Sequence, residues 1–188
     1  MILMMVMPYY HRLSRRKQAL YRRSVGLAPP AFSNVGDLHE RAAAVEDALD
    51  AEAVRRTRST SQRLIDAMCE QLEVPPVKVR VRSRRPGDDS EELHGLYERE
   101  DGEVPLITVW MRTSAKEQVV KFRTFLRTLL HELVHHLDYD YYGLEDSLHT
   151  EGFFKRESAL LAAVAPKPDA RPKRRSKKKK APPRRSAI

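Results

Sequence analysis

The clearest hydrophobic pattern in the chain lies between Ser114 and Gly143. In KEQVVKFRTFLRTLLHELVHHLDYDYY, residues Phe122, Phe125, Leu126, Leu129, Leu130, Leu133, Val134 and Leu137 recur at steps of three and four and cover most of a helical circumference. A long, largely buried helix is expected there, starting after Ser114 and stopped by Gly143, where left-handed backbone costs little. Two further helices are expected from Asp37 to Glu73. GDLHERAAAVEDALDAEAVRR is rich in Ala, Glu and Arg, and SQRLIDAMCEQLEV spaces Leu64, Ile65, Met68 and Leu72 on one face. Asp37 and the Ser59 to Ser61 stretch are the candidate N-caps, and Pro75 and Pro76 end the second helix.

Between these helical stretches the period changes to two. VKVRVRS alternates apolar and basic residues, as a strand with one buried face does. RRPGDDSEE reads as a loop, and LHGLYERE and PLITVWMRT read as two strands joined by an EDGEV turn. TEGFFKRESALLAAV closes the pattern as a final helix before Pro166. Helix, three strands, buried helix, short loop and helix predict an α+β domain, with a three-stranded or slightly larger mixed sheet packed on helices. The expected division is a weakly ordered extension at 1–36, a helical segment at 37–58, the main domain at 59–166 and a tail at 167–188.

Charge changes the picture only at the C-terminal end. The net charge is +9, but eleven of the 35 Lys and Arg and one of the 26 Asp and Glu fall in KPDARPKRRSKKKKAPPRRSAI, leaving the rest close to neutral. This Pro-punctuated, self-repelling run is expected to be disordered and to attract DNA or RNA without reading sequence, through Lys173, Arg174, Arg175 and Lys177, Lys178, Lys179 and Lys180. Cys69 stands alone, which excludes an intrachain disulfide, a thiolate zinc knuckle and an iron–sulfur cluster. The apolar start MILMMVM is short and precedes its basic residues, the reverse of a secretory signal, and no stretch is long enough to span a membrane. A cytoplasmic protein is expected, nucleoid-associated where the basic tail engages DNA, with no membrane partner.

Four of the seven histidines fall within HELVHHLDYDYYGLEDSLHTEGFF. His131 and His135, four residues apart on a helix, present their imidazoles on one face, and Glu132 lies beside them. Neutral imidazoles at this spacing suit Zn²⁺, and the adjacent carboxylate is placed to take a proton from a water. His136 is turned about 100° away on the helix and is not counted as a ligand. Candidates for a third ligand are His149, Glu145, Asp146, Glu151 and Glu157. His149 is preferred, because the chain can turn at Gly143 and return, and Glu157 is the alternative. Asp138 is a candidate acceptor for a ligand N–H, and Tyr141 or Tyr142 a candidate oxyanion donor.

HELVHH followed by HTEGFF resembles the SprT-like family of zinc metalloproteases, the counterpart positions being His131, Glu132, His135, His149 and Phe153. HGLYERE and PLITVWMRT are similar to the strand pair that precedes the family's metal helix, and the resemblance covers about Ser59 to Val164. Thr150 stands where the family usually has Gly, and the zinc-ribbon cysteines of some members are absent here. The resemblance implies a minimal zincin-like metalloprotease domain with one Zn²⁺ per chain and Glu132 as general base. It further implies a protein or peptide substrate held against an edge strand, expected at Ile107 to Met111, and activity on DNA-associated or DNA-crosslinked proteins. Two other readings remain open at this point. One is a non-catalytic nucleic-acid-binding protein with a structural zinc; the other is a peptidase acting on a regulator without DNA.

Overall fold

The computed structural model describes residues 7–84, 95–113 and 118–165. The basic residues from Lys173 to Lys180, and with them the expectation of a disordered tail, lie outside the described residues. Among the described residues, five helices and three strands follow one another as α1 (Arg15–Gly26), α2 (Val35–Asp50), α3 (Val54–Gln71), β1 (Lys78–Arg84), β2 (Gly95–Glu98), β3 (Leu106–Arg112), α4 (Phe122–Asp140) and α5 (Glu151–Val164). The sheet has the order β1-β3-β2, with β1 parallel and β2 antiparallel to β3. The α+β class and the small mixed sheet are therefore as the hydrophobic pattern predicts. Among the described residues, no helix is long and apolar enough to cross a membrane.

Alternation along the strands puts Val79, Val81, Ile107, Val109 and Met111 on the core side, where they join the apolar stripes of α2, α3 and α4. Lys78, Arg80 and Arg82 point the other way and are exposed. β1 would offer a free edge to another strand, but the Gln62 amide covers part of it. Its Oε1 accepts from Val79 N at 2.6 Å and its Nε2 donates to Val77 O at 2.9 Å. The strand expected at an edge, Ile107 to Met111, lies within the central strand of the sheet. Its alternating core residues are buried from below and both of its sides are paired, so the edge facing α4 is β2.

Helix boundaries differ from expectation in three places. α2 begins earlier, with Asn34 Oδ1 accepting from Asp37 N at 3.1 Å, so Asp37 is a first-turn acid and not the cap. The break between α2 and α3 falls at Ala51 to Ala53, with Glu52 in left-handed backbone (φ 53°), and not at Ser59 to Ser61. The hydroxyls of Thr57 and Thr60 bond back to Ala53 O and Arg56 O inside α3, the alternative use of such side chains to capping. α4 starts at Phe122, later than expected, because Val119 and Val120 are extended against the end of β3.

Residues 15–26, expected to belong to a weakly ordered extension, form a helix capped by Ser14. Its mean hydropathy is low, but it buries Tyr21 completely and sets Ser24 against the start of α5. The 37–58 segment also belongs to the body: Leu38, Ala42, Val45, Ala48 and Leu49 of α2 are buried.

Candidate metal centre

α4 packs on the sheet and turns His131, Glu132 and His135 toward a cleft. Apolar contacts on the other sides hold its rotation: Phe125, Leu126, Leu129, Leu130, Leu133, Val134 and Leu137 are all at most 1% exposed. His131 and His135 consequently point the same way, toward β2 and the loop between α4 and α5. That loop turns at Gly143 (φ 59°), with Leu144 N returning to Asp138 O at 2.8 Å, and brings His149 back over the pair. The Nε2 atom of His149 lies 3.0 Å from that of His131 and 3.1 Å from that of His135.

Hydrogen bonding at the far side of two rings fixes what these nitrogens can do. His131 Nδ1 donates to Glu157 Oε2 at 2.9 Å. His135 Nδ1 donates to Ser147 Oγ at 2.8 Å, since the serine proton goes to Asp138 Oδ2 at 2.8 Å. Both Nε2 atoms therefore carry lone pairs when the rings are neutral, and His149 Nε2 can donate to only one of them. A shared cation satisfies all three. Burial and the neighbouring imidazoles push His135 down to about 3, and the same causes lower His149, so these rings are uncharged near neutrality. Tetrahedral zinc with bonds of 2.0–2.1 Å would separate its nitrogens by about 3.3 Å, a few tenths from the spacing here. The three histidines fit a metal ion.

Phe153 forms the floor of the cluster. Fully buried, its ring lies 4.8, 4.7 and 4.9 Å from the rings of His131, His135 and His149. Four residues after the third histidine on the first turn of α5, it sets all three imidazoles at one depth. Thr150 caps that helix by accepting from Phe153 N at 3.0 Å, a use that Gly would not supply.

Glu132 faces the cleft from beside the cluster and is 6% exposed; burial pushes its carboxyl up to about 7 against the opposing influence of His131. Gly95 makes room for it: a Cβ at that position would lie 2.8 Å from Glu132 Cγ. The cleft has a volume of about 530 Å³ and runs between β2 and α4, from Arg127 past Leu96 and Tyr97 to Tyr139.

Of the remaining sequence candidates, Glu157 grips His131 and is not among the three converging groups. Asp138 reaches His135 through Ser147, one group further away than expected, because its other oxygen is taken by the buried Arg156 guanidinium at 2.7 Å. Glu145 and Asp146 pair with Arg16 and Lys17 at the surface, and Glu151 accepts from Tyr21. Tyr141 is exposed, and Tyr142 donates its hydroxyl to Ala28 O beside Arg156, so neither lines the cleft. His136 is a core residue whose Nε2 donates to Pro75 O at 2.9 Å.

Sequence reasoning missed Tyr139, Arg127, Tyr97 and Ser147. Arg127 and Tyr139 were legible, since 127, 131, 135 and 139 are four-residue steps along one face of α4. Tyr97, stacked between His135 and Tyr139, is placed by strand pairing, and Ser147 by a loop; local patterns give neither. No family model, no curated protein and no solved structure matches this chain.

Proposed function

We propose that the protein is a zinc-dependent peptidase of SprT-like type. The observation that carries this reading is the convergence of three imidazole Nε2 atoms beside a carboxylate, in a cleft bordered by the edge strand β2. His131, His135 and His149 would hold a zinc ion, which would supply Lewis acidity toward a water and a scissile carbonyl. Glu132 accepts the proton of the attacking water and returns it to the leaving amine. β2 receives an extended backbone by strand addition, with its own Tyr97 walling the cleft. Such binding uses main-chain groups and favours unfolded or extended segments over a particular sequence.

A purely structural site gains nothing from Glu132 beside the histidines, and this favours catalysis over a non-catalytic zinc protein. For a nucleic-acid-associated substrate, support comes from charge: the basic run after Lys167, and Lys78 and Arg80 of β1 lining a surface groove with Arg58 of α3.

The test is cleavage of an unfolded protein substrate by zinc-loaded wild type and Glu132→Gln, alongside zinc content by mass spectrometry. One zinc per chain in both proteins, with cleavage by wild type alone, supports the proposal. Persistent cleavage by Glu132→Gln removes the mechanism. Stimulation by DNA that fades with added salt supports a DNA-associated substrate, and indifference to both points to a peptidase without DNA.

A further inference from the structure

The third metal ligand sits on a stretch with little structure of its own. Between the end of α4 and the start of α5, its backbone closes on itself or on α4 through a few bonds, including Leu144 N to Asp138 O and Thr150 N to Leu148 O. Most of what holds it comes from the other end of the chain. Tyr9 Oη donates to the carbonyl of His149 itself at 2.7 Å. Ser24 Oγ is 2.9 Å from Thr150 Oγ1, Tyr21 Oη donates to Glu151 Oε2 at 2.5 Å, and Gly152 lies so close to α1 that a Cβ there would be 2.7 Å from Val25 Cα. Four consecutive residues, 149 to 152, are thus each held by the segment 7–27. Arg16, Lys17 and Arg23 reach Glu145, Asp146 and Tyr142 O further along the same loop.

The tyrosines form one unit. Met7 N donates to Tyr21 Oη at 3.0 Å, and the Tyr9 and Tyr10 rings meet the buried Tyr21 ring edge-on at 6.0 and 5.0 Å. Arg156 extends the link below the cluster: it donates to Ser24 O at 2.7 Å and to Asp138, whose partner Ser147 holds His135. The N-terminal segment therefore reaches the cluster twice, at the main chain of His149 and through the chain of bonds behind His135.

We propose that Tyr9 is a positioning residue for the third metal ligand, and that residues 7–27 act as a strap that holds the His149 loop in ligating register. This rests on the metal-binding reading of the cluster and adds to it a remote determinant of affinity. A bond to a ligand's main chain limits where its imidazole can stand, as side-chain bonds behind the other two ligands limit theirs. Loosening the strap lowers metal affinity without touching a ligand.

The test is the zinc and cobalt affinity of full-length wild type, Tyr9→Phe, His149→Ala and the double variant, by competition with a chromophoric chelator. Tyr9→Phe keeps the ring contact and removes one O–H. It is expected to weaken zinc at least tenfold, in the range of losses for groups one bond behind a ligand, and to alter the cobalt visible spectrum. In the His149→Ala background the same change should have no further effect, whereas general destabilisation would persist there. Equal affinity of wild type and Tyr9→Phe overturns the proposal, as does an equal loss in both backgrounds. If wild type binds neither metal, the metal reading fails separately, and hydrogen exchange decides on the strap. Faster exchange at 144–150 in Tyr9→Phe with unchanged exchange in α4 supports it, and identical exchange overturns it.

Discussion

His131 and His135 are held by one helix, whereas His149 is held by contacts from more than 120 residues away. The first pair is aligned by the four-residue spacing of α4 and an apolar face that fixes its rotation, with Glu157 and Ser147 orienting the rings. The third needs a glycine turn, a threonine cap, a buried arginine and a helix from the opposite end of the chain. The candidate metal site is thus built by two routes, one local and stiff, the other assembled and dependent on distant packing. The two halves should respond differently to perturbation.

The largest expected effect comes from cutting the buried link between them. Arg156 and Asp138 are at most 1% exposed, and Arg156→Met would leave the Asp138 carboxylate without its charge partner in a site where burial already raises its pKa. A loss of about 3–5 kcal/mol is expected in urea unfolding, the range for breaking a buried pair from one side. A change near zero would mean that the pair does not join α1 and α5 to α4 as drawn.

The two close-packed glycines sharpen the contrast further. Gly152→Ala pushes a Cβ into the backbone of α1, which cannot easily move, and should cost about 1–3 kcal/mol of stability. Gly95→Ala instead meets the side chain of Glu132, which can swing away. Its stability should change less than that of Gly152→Ala, while the proposed peptidase activity should fall because the carboxylate is displaced. If Gly95→Ala retained full activity, Glu132 would not act from the position it occupies here. A smaller, local effect is expected for Ser147→Ala, which removes the group that orients His135. Zinc affinity should weaken roughly 10- to 100-fold with the fold retained, as measured by chelator competition.

How much of this was readable from sequence follows the same division. The α4 histidines, the general position of Glu132, the three strands and the final helix were legible because each depends on a repeat of two or about 3.6 residues. His149 was reached from the turn at Gly143 and the return of the chain, and Phe153 through a spacing that resembles a known family. The strap was not legible: RRKQALYRRSVG has too few apolar residues to announce a packed helix, and its contribution rests on one buried tyrosine and a serine that meet α5 only in the fold. The edge strand was misassigned for a related reason. An apolar run such as LITVW marks a buried strand, and buried strands tend to be central, so the shorter GLYE was the better candidate for the exposed edge.

The smallest effect separates two kinds of contact within the strap itself. Arg16 and Lys17 pair with Glu145 and Asp146 at the surface, with side chains 82% and 53% exposed for the two cations. Ion pairs of this kind are screened by water and salt and contribute at most about 1 kcal/mol. Replacing both cations with Gln should leave zinc affinity within about threefold of wild type, a difference of well under 1 kcal/mol, and that difference should vanish in 0.5 M salt. Tyr9→Phe should keep its larger loss at any salt concentration, because its bond to the His149 carbonyl is a direct neutral contact. If the double Gln variant lost as much affinity as Tyr9→Phe, the charges would be holding the loop, and the tyrosine bond would be incidental to it.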